Sequence, residues 1–503
     1  MADVLRYAVC YRPGCAGIAA RGGQACIAHL SPNERKQIIE ALRTGSPLDF
    51  ARGVRFTEEL IRDILNSITS SPGVRKVHLA DFRDASFTSD VGLQSIVFDG
   101  LALFEGAVFE GSALFNEVSF MSRVSFDGAT FCSDAIFRDA TFNSRTTFRK
   151  VHFRQKATFR RSLFMGRASF KDATFSGNVI LNDVTFDRKP RLTEVTCERT
   201  VELNRAFFPN GVEILELRGS PEIVMEGVAL GSSSILSGPR EQSGRPRLLS
   251  LRGSDVARLL ISDVDLRACR FVNTHNLDQV RFERGCEFVV APGRWRIRRN
   301  VIAEEHQLRA SAKADDFKPS SPLRVIGGRK WRSSWYPAEC RPPQWLVKDS
   351  PELNHALAPS EIAGIYRALR RGRETDRDES EASDFYYGEM EMRRRDDHKS
   401  RFERLIVSSY WLTSGYGLRA SRAFLCLAAT VFAFGALLYE WGISGHVTFA
   451  QALTFSAQST TSLFRAPQGN LSLTGQWLEM GLRLLGPLFF GLALLAIRGR
   501  VKR

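Results

Sequence analysis

ATFCSDAIFRDATFNSRTTF, residues 129–148, decides the fold of this chain. Its phenylalanines, Phe131, Phe137, Phe142 and Phe148, are separated by steps of six, five and six residues. A small residue stands two places before each: Ala129, Ala135, Ala140 and Thr146. Read outward, the same alternation keeps register from Phe82 to Phe208, through twenty-four positions of which nineteen are Phe. The residue two before is Ala twelve times and Val eight, and none of these forty-eight places is charged, although the residues between them freely are. An α-helix cannot carry this pattern, because steps of five and six walk around its surface. A coil with four short sides can. Four steps make a turn of 22 residues, and each inward residue then stacks on its counterpart roughly 4.8 Å along the axis. Each coil covers the apolar face of its neighbour.

Ala129-Thr130-Phe131 and Ala140-Thr141-Phe142 resemble the unit of the pentapeptide-repeat family: a small residue, any residue, Leu or Phe, then two polar ones. The resemblance covers about a quarter of the chain and implies a right-handed quadrilateral β-helix. One extra residue on alternate sides departs from the strict five-residue form and predicts looser corners. Family members include binding modules, so the resemblance specifies a fold rather than a task.

At 503 residues the chain exceeds one ordinary domain, and its formal charge of +15 is spread too thinly to signal nucleic acid by itself. Nine cysteines without paired spacing read as reduced cytosolic thiols. Residues 1–17 lack the pattern of a signal peptide.

Cys10, Cys15, Cys26 and His29 supply three thiols and an imidazole, the ligand set of a tetrahedral structural zinc, with Gly14, Gly17, Gly22 and Gly23 for the turns. The alternative is three buried free thiols and a surface histidine. Ser31-Pro32-Asn33-Glu34 is a capping box opening a helix that stops at Gly45. A second helix begins near Thr57 with Leu60, Ile61, Ile64, Leu65 and Ile68 on one face. Together they are expected to cap the open end of the coils.

Residues 81–139 hold ten acidic and three basic side chains, whereas 140–171 hold nine basic and no acidic ones, from Arg145 to Lys171. This band is either a contact for anionic headgroups or an acidic partner, or simply a solvated face. Beyond Phe208 the register weakens through 231–246 and returns at Leu266, Phe271, Leu277, Phe282 and Phe288. Ser360 opens a helix, 382–395 gives another, and the two form an antiparallel hairpin. On the second, Glu389 and Glu391 beside Arg393–Arg395 read as helix ion pairs rather than an acid–base site.

Ala423–Trp441 and Leu478–Ile497 are long and apolar enough to span a bilayer. Arg419, Arg422, Arg498, Arg500, Lys502 and Arg503 flank them on one side, which places both ends in the cytoplasm. Tyr410, Trp411 and Tyr416 suit the inner interface, Trp441 and Trp477 the outer. Between the spans, Thr448–Ala457 predicts a short helix followed by a Thr-rich turn, Thr460, Thr461, Ser462, Leu463 and Phe464. This layout resembles the two-transmembrane pore module of potassium-type channels. Leu463 and Arg465 stand where that family's filter has glycines, which opposes potassium selectivity.

The expected domains are a Cys/His-containing module with helical cap (1–70), a mainly β, quadrilateral β-helix (71–290), a Pro/Trp-containing basic linker (291–350), a helical hairpin (351–415) and a pore-loop-like membrane domain (416–503). No phosphate loop, nucleotide fingerprint or catalytic triad is present in the sequence. The expectation is a non-enzymatic scaffold of the bacterial plasma membrane, both termini cytoplasmic. It would bind the bilayer, an unknown protein partner on the β-helix and further copies of itself through the membrane domain, without nucleic acid. The alternatives are a gated two-transmembrane ion channel and a DNA-mimicking topoisomerase-binding protein; the latter needs an acidic surface, which the basic band opposes.

Overall fold

The computed structural model describes residues 8–20, 23–43, 47–70, 74–240, 244–291, 299–311, 341, 343–344, 346, 357–443, 447–461 and 471–501. The linker 291–350 therefore falls mostly outside the described residues. Two compact units divide the chain at Ala356 and Leu357.

The first unit is a β-solenoid of about nine turns. Its short strands line up in four parallel sheets of seven, eight, nine and ten strands, apart from one antiparallel pair at the N-terminal end (Thr69–Ser70 with Val74–Val77). The ladder keeps a 22-residue offset, as in Phe98↔Phe120↔Phe142↔Phe164. Each sheet stacks its own inward side chains. Phe87, Phe109, Phe131, Phe153 and Phe175 form one column with ring centroids 4.6–4.8 Å apart and planes within 8° of parallel. Rings of adjacent columns meet edge to face, as Phe115 and Phe126 do at 5.6 Å and 89°. All of these rings are buried, so the core is one continuous aromatic stack with Ala and Val filling the space beside it.

The corners alternate in kind, and this explains the alternating step. Within every five-residue side the second residue after the large one has positive φ: Asp84, Ser95, Gly106, Glu117, Gly128, Asp139, Lys150, Arg161, Asp172, Asp183, Glu194, Arg205, Glu216 and Gly227, eleven residues apart, with φ between 54° and 70°. Closing bonds such as Ala129 N–H to Phe126 O (3.0 Å) and Ala107 N–H to Phe104 O (3.1 Å) make these tight four-residue turns of the type II kind. From Phe82 to Phe208 the six-residue sides turn without a left-handed residue; beyond that, Gly211 takes one. The expected loosening is thus confined to alternate corners.

Pairing begins before the repeat does. Arg55 and Phe56 pair with Ser86 and Phe87, Leu48 bridges to Ala80, and Phe56 stacks on Phe87 at 5.1 Å. Helix α1 (Pro32–Arg43) and helix α2 (Glu58–Ser67) form as expected. Thr57 caps α2, which buries Leu60, Ile61, Ile64 and Leu65. At the other end the register loosens to 25 and then 21 residues (Ile235↔Leu260, Leu260↔Arg281). The chain then turns back through Val289–Val290 and Asn300–Val301 into helix α3 (Ala303–Ser311). There Glu304 accepts the Phe271 N–H at 2.5 Å, and buried Glu305 pairs with Arg299 and Arg309. Their pairing offsets the cost of enclosing charge at the solenoid end.

The second unit is helical. Helices α4 (Pro359–Thr375) and α5 (Glu379–Arg395) form the expected hairpin. A Cβ at Gly388 would lie 2.6 Å from the Tyr366 ring, so the glycine sets how closely the two approach. Glu389 pairs with Arg367, Arg370 and Arg393, and Glu391 with Arg394, as structural ion pairs. Helix α6 (Arg401–Ser414) leads through Gly415 to α7 (Ala420–Leu437), which ends in a π turn, Leu438–Gly442. Tyr416, expected at a membrane interface, is instead buried, its hydroxyl donating to Glu391 at 3.1 Å. A buried phenol needs such a partner. Helices α8 (Phe449–Thr461) and α9 (Leu473–Val501, with Pro487 inside) complete the unit. Two helical stretches, Ala420–Gly442 and Leu473–Leu495, are long and apolar enough to cross a membrane. Only 17% and 22% of their apolar windows is buried, unlike helices in the core of a soluble protein.

Candidate metal centre

The N-terminal module is a knuckle built by short-range turns. Val9 and Ile18 bridge in antiparallel fashion, and Cys10 N–H donates to Gly17 O at 2.8 Å. Cys15 closes a turn on Arg12 O at 3.1 Å, and Cys26 opens the 3-10 turn Ile27–His29. A Cβ on Gly17 would come 2.9 Å from Cys26 Cβ, so glycine is what lets the two loops meet.

These turns bring together the four residues that the sequence singled out. The ligand atoms of Cys10, Cys15, Cys26 and His29 all lie within 4.8 Å of one another. Cys10 Sγ is 3.4 Å from His29 Nδ1, Cys26 Sγ 3.3 Å from the same nitrogen, and Cys15 Sγ 3.6 Å from Cys26 Sγ. Tetrahedral zinc, with Zn–S of about 2.3 Å and Zn–N of about 2.0 Å, sets neighbouring ligand atoms roughly 3.5–3.8 Å apart. The donor set and spacing fit such an ion. Gly17 N–H also donates to Cys15 Sγ at 3.4 Å, an outer bond of the kind that steadies a metal-bound thiolate.

The electrostatics point the same way. Burial and the neighbouring Cys15 push the Cys26 thiol up to about 12. Burial also opposes ionisation of Cys10, but backbone N–H bonds from Arg12 and Cys26 and the His29 ring outweigh it and hold that thiol at about 6. Three thiols this close cannot all ionise without a cation between them; a divalent ion removes that conflict. Four protein ligands would leave no open position, so an ion held here would be structural rather than catalytic. The knuckle is tied to the solenoid's first turn by Ile18 N–H to Arg52 O (3.0 Å), and that turn to the next coil by Gly53 N–H to Arg83 O (2.8 Å).

In the second unit, α8 packs against both apolar helices. Gly435 of α7 faces Leu453, and a Cβ on Gly486 of α9 would sit 2.5 Å from Thr460 O. The Ser456 hydroxyl donates to Val431 O at 2.8 Å. The short helix runs on to Thr461 instead of stopping at Ala457. Thr460 is therefore helical and buried, its hydroxyl donating back to Ala457 O at 2.7 Å. The back-bond satisfies the buried hydroxyl, and Gly486 leaves room for the Thr460 carbonyl on the facing helix. Ser462, Leu463 and Phe464 lie outside the described residues.

Residues 93–141, 104–152, 132–174 and 148–196 match the family model described as Pentapeptide repeats (9 copies). No curated protein matched the chain. The solenoid segment 93–196 is thus a pentapeptide-repeat domain.

Proposed function

We propose that this chain is a non-enzymatic interaction scaffold anchored in the plasma membrane, with a cytoplasmic solenoid that binds a protein partner. The observation that carries this reading is the pairing in one chain of a rigid Phe-stacked solenoid, whose outward residues are free to vary, with two helices long and apolar enough to cross a bilayer. Outward side chains at fixed spacing make an extended binding surface without disturbing the core. Zinc in the Cys10, Cys15, Cys26 and His29 cluster would hold the N-terminal turn against the first coil. Basic residues on one flank of the two spans support cytoplasmic termini.

Alkaline extraction of membranes tests the anchor: the full chain stays in the pellet, and release into the wash would overturn it. A second reading, an ion channel of the two-transmembrane type, is favoured by the seating of α8 between α7 and α9 and needs several copies around an axis. Mass measurement in detergent separates them, since a monomer excludes a pore between subunits.

A further inference from the structure

The solenoid stacks outward as well as inward residues, so a column of like charge is held at strand spacing. At one corner the stacked left-handed residues alternate in sign: Asp139, Arg161, Asp183 and Arg205. Arg161 grips Asp139 at 2.6 and 2.7 Å, and Arg205 grips Asp183 at 2.6 and 2.9 Å. This column neutralises itself.

One of the wide corners does the opposite. Leu101, Arg123, Arg145 and Arg167 succeed one another at 22-residue intervals, just before the paired residues Ala102, Val124, Thr146 and Ala168. The carbonyls of Arg123, Arg145 and Arg167 accept ladder bonds from Ala102, Val124 and Thr146 at 3.2, 3.2 and 2.9 Å, which fixes their spacing. All three side chains are exposed, and no carboxylate lies within 4.0 Å of their guanidiniums among the described residues. The next residue of the column, Lys189, is already taken by Glu213 at 3.0 Å. Two residues before Arg123 and Arg167 stand Met121 and Met165, 51% and 46% exposed, and Leu101 is 44% exposed below them.

We infer that this edge is the partner-binding surface of the solenoid, and that it takes an acidic protein segment carrying two or three carboxylates and an apolar side chain. Like charges stacked at strand spacing repel one another, and an incoming row of carboxylates relieves that with two-pronged arginine bonds. The three guanidiniums span about 10 Å, two strand spacings. The methionines and Leu101 favour protein over nucleic acid, because the edge exposes pliable apolar side chains and no aromatic ring for a base to stack on.

The inference rests on the scaffold reading and is tested separately from it. Full-length protein in zwitterionic nanodiscs is titrated with a fluorescent Glu-rich peptide bearing periodic Leu, with the same peptide carrying Gln for Glu, with single-stranded DNA, and with phosphatidylserine vesicles. The Glu peptide should bind, weaken with salt, and lose at least about tenfold in affinity in R123E/R145E/R167E. The neutral triple variant R123Q/R145Q/R167Q, whose folding is under less threat, should lose affinity in the same direction. R154E/K156E, on the opposite wide corner, should leave it unchanged. Equal loss at both corners, no loss in the triple variants, or tighter arginine-dependent binding of DNA or vesicles would overturn the assignment. Alkaline extraction would still report on the anchor in each case.

Discussion

Replacing Phe131 with Ala probes the stack where its neighbours are least able to respond. Phe131 is fully buried, with Phe109 at 4.6 Å on one side and Phe153 at 4.8 Å on the other. Phe126 and Phe137 touch it obliquely at 6.2 and 6.1 Å. Large-to-small changes of this kind cost about 3–5 kcal/mol, with the spread set by how far the site can collapse. Here Phe109 and Phe153 are both pinned by ladder pairs to Phe131 itself, so the gap cannot close by moving a coil. The upper part of that range, about 4–5 kcal/mol, is expected. Phe207→Ala is the control, because Phe207 is adjacent to the inward Phe208 but 45% exposed; it should cost no more than about 0.5 kcal/mol. Urea unfolding of the full chain in detergent, followed by the β-sheet circular dichroism signal, separates the two. The Phe131 variant should lose on the order of 1–2 M in midpoint, and the Phe207 variant almost nothing. Equal midpoints would mean that the rings are not a stacked core.

Lys150 has φ of 54° at a tight corner, so Lys150→Gly should hold or slightly raise the melting temperature, whereas Lys150→Val should lower stability by about 1–2 kcal/mol. Elemental analysis of the purified full chain should find one zinc, and Cys26→Ser should abolish it. A metal-free chain that is indifferent to chelator would leave the buried-thiol alternative standing. With free zinc a thousandfold above its dissociation constant, chelation should remove about 4 kcal/mol from the N-terminal cap. Gly486→Val drives a side chain into the Thr460 carbonyl, so it should lower the detergent melting temperature of the helical unit and leave the solenoid transition in place.

The Phe stack was legible because each coil repeats its neighbour's environment, so one short stretch carries information about all of them. The corners were not. Left-handed backbone is advertised by glycine, and only Gly106, Gly128 and Gly227 announce it here; Asp, Glu, Arg, Lys and Ser fill the other places. The first turn escaped for another reason. Leu48-Asp49-Phe50 and Val54-Arg55-Phe56 carry the same small-or-apolar-x-Phe unit, but α2 interrupts the periodicity before the array begins. Cys10, Cys15, Cys26 and His29 could be grouped because they fall within one short loop system. The capping role of Glu304 could not, because its partner, the Phe271 N–H, is brought to it only by folding. Thr460 and Thr461 read as a turn by composition, yet the helix runs through both, with the buried Thr460 hydroxyl satisfied by Ala457 O and Gly486 leaving room on the facing helix.

The topology of the two apolar helices tests the anchored-scaffold proposal most directly. Single cysteines at His398, before α6, and at Thr448, between the two apolar stretches, are both at exposed positions. Intact cells expressing each variant are treated with a membrane-impermeant thiol reagent, with the parent chain as background. Thr448→Cys should label in intact cells, and His398→Cys only after permeabilisation. Labelling of His398→Cys in intact cells, or of neither variant until the membrane is broken, would contradict a cytoplasmic solenoid held by two membrane spans.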